Sequence, residues 1–186
     1  MSAVPTPSGS FPFHDADKLR NEWLGDWTIA FSTLKMWTDG KRLRPGYRYA
    51  TTDTPGVITD TTYADDVVDA AANPPTTKPN SMSGTNTQHK DAPSVFTWRG
   101  HGWLRLVSMD WRIVHYDPNR GIGATCFTKT FHSEAACSVI VRDPSKVGRD
   151  EVTDAGLREA MEAIRRQSDF PTMGPLRPAA GSKWAA

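Results

Sequence analysis

His115, Asp60, Tyr63 and Lys129 are the side chains of this sequence best suited to acid–base work. In Trp111-Arg112-Ile113-Val114-His115-Tyr116, an alternation of two puts Trp111, Ile113 and His115 on one face of a strand. We expect that face to turn inward, which would give His115 an apolar setting and a proton affinity near working pH. Asp60 and Tyr63 lie three apart, so they face opposite sides of a strand unless a bulge intervenes. A buried carboxylate needs a partner, and Arg99 on another segment is the natural one, as a structural pair or as a polar anchor for ligand. Lys129, if buried, would have a lowered pKa and could serve as acid, base or amine nucleophile.

The densest cluster is Trp98-Arg99-Gly100-His101-Gly102-Trp103, whose glycines suggest a bulge or a close approach of backbone. Trp37, Trp98, Arg99, Trp111, Phe127 and Arg142 are the candidate ligand-binding residues. His101 and His115 do not make a metal site by themselves; a third ligand would have to come from elsewhere, for example His132 or Asp60. There is no H-x-H, H-E-x-x-H or C-x-x-C spacing, no nucleophile elbow, no P-loop and no dinucleotide-binding glycine pattern. The sequence therefore calls for no metal and no cofactor, and hydride or phosphoryl transfer is not expected.

These residues need elements to hold them. Segments rich in Val, Ile, Thr, Tyr, Phe and Trp recur between turn residues. They predict eight strands, near 24–34, 44–52, 56–64, 82–88, 95–107, 109–117, 123–132 and 137–143. Short connections favour an antiparallel meander, and closing it into a barrel removes its edges. Eight strands can enclose side chains or one small ligand. Residues 65–81 read as a long Pro-rich loop, either a lid or a tolerated insertion. A short helix is expected over 15–24, with Asp15 or Asp17 as cap. After Val152 a stronger one is expected, capped by Thr153, whose Leu157, Met161 and Ile164 form a single stripe packed on the outside of the sheet. The domain plan is a disordered segment over 1–14, a barrel over 15–170 and a loose tail over 171–186.

The hairpin around His132–Ala136 decides which charge points inward. One face carries Cys126, Thr128, Thr130, Ser138, Ile140 and Arg142. The other carries Phe127, Lys129, Phe131, Cys137, Val139 and Val141. Lys129 and Arg142 cannot both point inward. If Phe131 pairs with Cys137, Cys126 lies opposite Arg142 and the two cysteines form no disulfide.

Composition narrows the classes of function. The 186 residues carry 22 Lys+Arg against 21 Asp+Glu, so neither nucleic acid nor a membrane surface is an expected partner. No apolar run is long enough to span a bilayer, and Met1–Phe13 does not read as a secretory signal. Two cysteines are too few for a disulfide scaffold. The expectation is a reduced, cytoplasmic protein, with a homodimer compatible.

Leu24-Gly25-Asp26-Trp27 after a short helix resembles the Gly-x-Trp start of lipocalins and their calycin relatives. With Ser32-Thr33-Leu34-Lys35-Met36-Trp37, Asp60-Thr61-Thr62-Tyr63 and Trp98-Arg99-Gly100-His101-Gly102-Trp103-Leu104, the chain resembles a group of uncharacterised lipocalin-like proteins of fungi and bacteria. Trp111-Arg112-Ile113 and Thr128-Lys129-Thr130 fit as well. The resemblance covers roughly 20–165, and Lys35 and Asp26 depart from its Pro and Thr. It implies an all-β fold: an antiparallel eight-stranded lipocalin-like barrel with a short N-terminal helix and a C-terminal helix packed outside. It also implies Trp27 near the closed end, with Arg142 packed across it, and binding of a small hydrophobic molecule. It implies no particular reaction; the ionisable groups on the strands leave two functions open. The first is a cofactor-free enzyme that folds an apolar secondary metabolite and promotes cyclisation, isomerisation or dehydration with His115, Asp60, Tyr63 or Lys129. The second is a passive carrier. A protein-interaction module would instead need Leu157, Met161 and Ile164 exposed.

Overall fold

The computed structural model describes residues 15–130, 134–167 and 173–185. Strands β1 (Gly25–Ser32), β2 (Arg42–Thr51), β3 (Val57–Asp69), β4 (Thr76–Gln88), β5 (Val95–Gly100), β6 (Ser108–Asp117), β7 (Ile122–Phe127) and β8 (Ala136–Val141) pair in chain order, every pair antiparallel. The ring closes through β1. Its first half pairs with β2 (Gly25 opposite Tyr49) and its second half with β8 (Ser32 opposite Ser138). This is a closed eight-stranded antiparallel barrel of lipocalin type.

Two apolar layers hold it. The inner one is aromatic: Trp23, Trp27, Tyr49, Phe96 and Trp111 are buried together with Ile29, Ile113 and Ile140. Helix α1 (Ala16–Trp23), capped by Asp15, delivers Leu19 and Trp23 into this layer and so plugs one end of the barrel. Arg142 seals the same end. Its guanidinium lies 4.2 Å from the Trp27 ring centre and donates to the main-chain carbonyls of Leu24 and Glu22, as the resemblance implies.

The outer layer lies on β6, β7 and β8 under helix α3 (Ala155–Arg165). Leu157, Met161 and Ile164 pack there against Val114, Ala124, Val139 and Val141. The stripe is buried, so it offers no partner-binding face. Asp154, not Thr153, caps this helix, accepting from the main-chain N–H of Gly156 and Leu157.

Several elements depart from the sequence expectations. Residues 65–81 form a loop only over 70–75: β3 and β4 continue as a long hairpin, pairing Asp65 with Pro79 and Val67 with Thr77. Pro79 is tolerated there because its side of the ladder asks for no N–H. The strand expected over 95–107 stops at Gly100, and Gly102–Leu106 forms a 3₁₀ turn. A short helix α2 (Lys35–Thr38) places Trp37 beside the barrel. Within the tail, β9 (Arg177–Pro178) pairs with β1, Ala179 is buried, and the Trp184 indole donates to the Gly148 carbonyl at 2.7 Å. The described part of the tail is therefore a packed strap. Residues 1–14 lie outside the described residues.

The hairpin register is also corrected. Phe127 pairs with Ala136, and Cys126 directly with Cys137. The two cysteines form a disulfide, their Cα atoms 4.1 Å apart, on the outer face. The expected Phe131–Cys137 pairing involves a residue outside the described set. The inward face thus takes Phe127 from one strand and Ser138 and Ile140 from the other, combining residues that the sequence reading had separated.

Candidate functional site

The barrel encloses a cavity of about 390 Å³. Tyr47 and Tyr49 reach it from β2, Asp60 and Thr62 from β3, Asn86 from β4, Trp98 from β5, Met109 and Trp111 from β6, and Phe127 from β7. Trp37, Leu34 and Met36 cover it from the start of the β1–β2 connection. A wider depression at the rim shares Trp37, Thr62, Met82, Trp103 and Leu104 with it and adds Arg42, Tyr63 and His101.

Polar groups converge on its floor. Asp60 is 7% exposed, and its Oδ1 accepts the Trp98 indole N–H at 2.8 Å. Asn86 is 1% exposed, and its Oδ1 accepts the Trp111 indole N–H at 2.6 Å. Two tryptophans on adjacent strands therefore orient two polar side chains on the opposing pair. Gly84, opposite Asp60 on β4, makes the first bond possible: a Cβ there would overlap the Trp98 indole. Trp111 is held in turn by Phe96, stacked at 4.6 Å. Burial pushes Asp60 up to about 6, although the bonds to Trp98 and Asn86 favour its ionised form. Burial also raises the phenols of Tyr47 and Tyr49, which stay neutral.

The remaining candidates lie elsewhere. Tyr63 faces out of the barrel, as its spacing from Asp60 requires, and its ring lies over Gly46. Arg99 is exposed and donates to the Arg105 carbonyl, because Phe96, Trp98 and Gly100 take the inner side of β5. It is not the partner of Asp60; Trp98 is. Lys129 is exposed and pairs with Glu134 at 2.8 Å, so it is no buried amine. Arg142 belongs to the plugged end and does not line the cavity.

His115 is corrected by a bulge. The β6–β7 register shifts between Ile113 and His115, so Trp111 and Ile113 face inward while Val114 and His115 lie on the outer side. His115 sits under α3, near Glu159 and Arg166, with Nε2 buried and unbonded. Desolvation lowers its pKa. Among the described residues no three His, Cys, Asp or Glu side chains gather as a metal set, and His132 lies outside them.

Asn86, Tyr47 and Tyr49 are site residues that the sequence reading missed. The alternation in Tyr47-Arg48-Tyr49 carries a signal for the tyrosines. Nothing in Thr85-Asn86-Thr87 marks Asn86 as buried.

No protein-family model and no curated protein matches the chain. Solved structures of the same fold do. Japanin from Rhipicephalus appendiculatus bound to cholesterol superposes with a TM-score of 0.53 at 12% identity, over 84% of this chain and 91% of that one. The allergen Per a 4 from cockroaches gives 0.52 at 16%, over 86% of each. Apocrustacyanin C1 gives 0.55 at 9%, over 89% of this chain and 85% of that one. These similarities establish the fold alone, a lipocalin-type barrel. No described helix is long and apolar enough to cross a membrane.

Proposed function

We propose that this chain binds one small, mostly apolar molecule in the barrel and carries or sequesters it. The observation behind this is the cavity of about 390 Å³, walled by aromatic side chains with a few convergent polar groups on its floor, which is how small-molecule sites are built. That a barrel of the same fold, japanin, holds cholesterol supports the reading.

Catalysis without a cofactor is the second reading, and Asp60 is what favours it. It is an ionisable group facing the cavity, and its pKa near 6 suits it to give or take a proton. It would assist a cyclisation, isomerisation or dehydration of a substrate folded by Trp98 and Trp111. His115, Tyr63 and Lys129 would take no part from where they stand.

A cytoplasmic placement would require the Cys126–Cys137 disulfide to survive a reducing thiol pool; an oxidising compartment suits it better. The test is native mass spectrometry of protein isolated from its host. A one-to-one adduct with an apolar molecule is expected. Conversion of that molecule by wild type but not by Asp60→Asn would favour the enzyme. Ligand-free protein that also rejects a neutral hydrophobic probe would overturn both readings.

A further inference from the structure

The charge arrangement of the cavity is one-sided. Among the described residues no Lys, Arg or His lines the cavity itself, yet one carboxyl does; Arg42 and His101 stand at the adjoining rim. Asp60 is held on its floor by the Trp98 indole N–H, with Asn86, Tyr47 and Tyr49 beside it. His101, at the rim, is a minor influence on it. An ionised carboxylate removed from water without a cation is costly, which is why burial shifts its proton affinity. A cationic group on an entering molecule would offset that cost.

We propose that the cavity selects a protonated amine on an otherwise apolar body, its ammonium seated against Asp60. The inference rests on the binding reading above and names its ligand class. The ammonium donates to the Asp60 oxygen that Trp98 does not occupy. The apolar remainder lies along Trp37, Met109 and Phe127 towards the rim. Asn86, whose amide faces the Asp60 carboxyl, favours its ionised form. An anionic head group meets the carboxylate and is rejected.

Three probes share one apolar body and differ in the head: tryptamine, tryptophol and indole-3-acetate. Isothermal titration at pH 7.5 should give tryptamine an affinity about tenfold or more above tryptophol, with indole-3-acetate weakest. In Asp60→Asn, which keeps an oxygen to accept the Trp98 N–H, the preference for tryptamine should fall to within about twofold. Tryptophol or indole-3-acetate binding wild type as tightly as tryptamine would overturn the inference and leave the binding reading intact. So would a preference for the amine that survives in a folded Asp60→Asn. Failure of all three probes, together with failure of neutral N-phenyl-1-naphthylamine, would remove the binding reading and the inference with it. The wild-type ranking alone decides the matter if the variant does not fold.

Discussion

Trp98 and Asp60, on strands separated by β4, are joined by an indole N–H···carboxylate bond of 2.8 Å that passes over Gly84. This bond fixes a carboxyl on the floor of a cavity walled mostly by aromatic side chains. Much of what the molecule can do with a ligand depends on it.

The buried carboxyl has a cost that varies with pH. The folded-state pKa of Asp60 is raised from 3.8 to about 6. Between those values the folded state binds more protons than the unfolded one, so stability falls as pH rises from about 4 to about 6 and the penalty is complete above that. Tyr47, Tyr49 and His101 are the titratable groups facing it, and the two phenols remain neutral over this range. Asp60→Asn should therefore be more stable than wild type by about 1–3 kcal/mol at pH 7.5, with the gap closing near pH 4. Urea denaturation at both pH values measures this. Equal stabilities at pH 7.5 would refute the burial of an ionised Asp60.

Gly84→Ala should disturb the floor directly. The added Cβ overlaps the Trp98 indole, and both the ring and the neighbouring main chain are held on all sides. A loss of about 1–3 kcal/mol is expected, with a shift in tryptophan emission. An unchanged denaturation midpoint would mean that Trp98 has room to move.

Much of the architecture was legible in the sequence because it depends on local pattern. Alternating apolar residues between turn signals placed all eight strands, and Leu157, Met161 and Ile164 announced the buried face of α3. Trp37, Trp98, Trp111 and Phe127 were also legible as cavity residues, being large aromatics on strands or next to one. What failed were features set between strands. The bulge at Val114 moves His115 to the outside, and no residue in Ile113-Val114-His115 signals it. The β7–β8 register brings Cys126 against Cys137, whereas a turn centred near His132–Ala136 allowed several registers. The 65–81 segment is poor in apolar residues because its hairpin extends beyond the core, where solvent on both faces leaves no periodic signal.

His115 carries the opposite pH signature to Asp60. Desolvation under α3 lowers its pKa, so the unfolded state takes up its proton first. Its contribution is present above the ordinary histidine range and is lost as pH falls through it. His115→Gln should flatten that acid-side loss and leave affinity for a cavity probe within about twofold. A large loss of affinity would contradict its outward placement.

Arg142 and the disulfide should act on stability without touching the cavity. Arg142→Met removes the stacking on Trp27 and strands the Glu22 and Leu24 carbonyls. The expected cost is about 2–4 kcal/mol. Replacing both cysteines by alanine should cost about 2–3 kcal/mol, and native protein should show no free thiol on titration. Two titratable thiols in folded, unreduced protein would refute the bridge.

The most direct test is whether the barrel interior takes up a guest. Neutral N-phenyl-1-naphthylamine titrated into wild type should give a saturable, one-to-one rise in fluorescence. Met109→Trp, which sets an indole into the space between Trp98 and Trp111, should weaken it about tenfold or more. Identical binding by a folded Met109→Trp, or none by wild type, would show that the cavity is not a binding site.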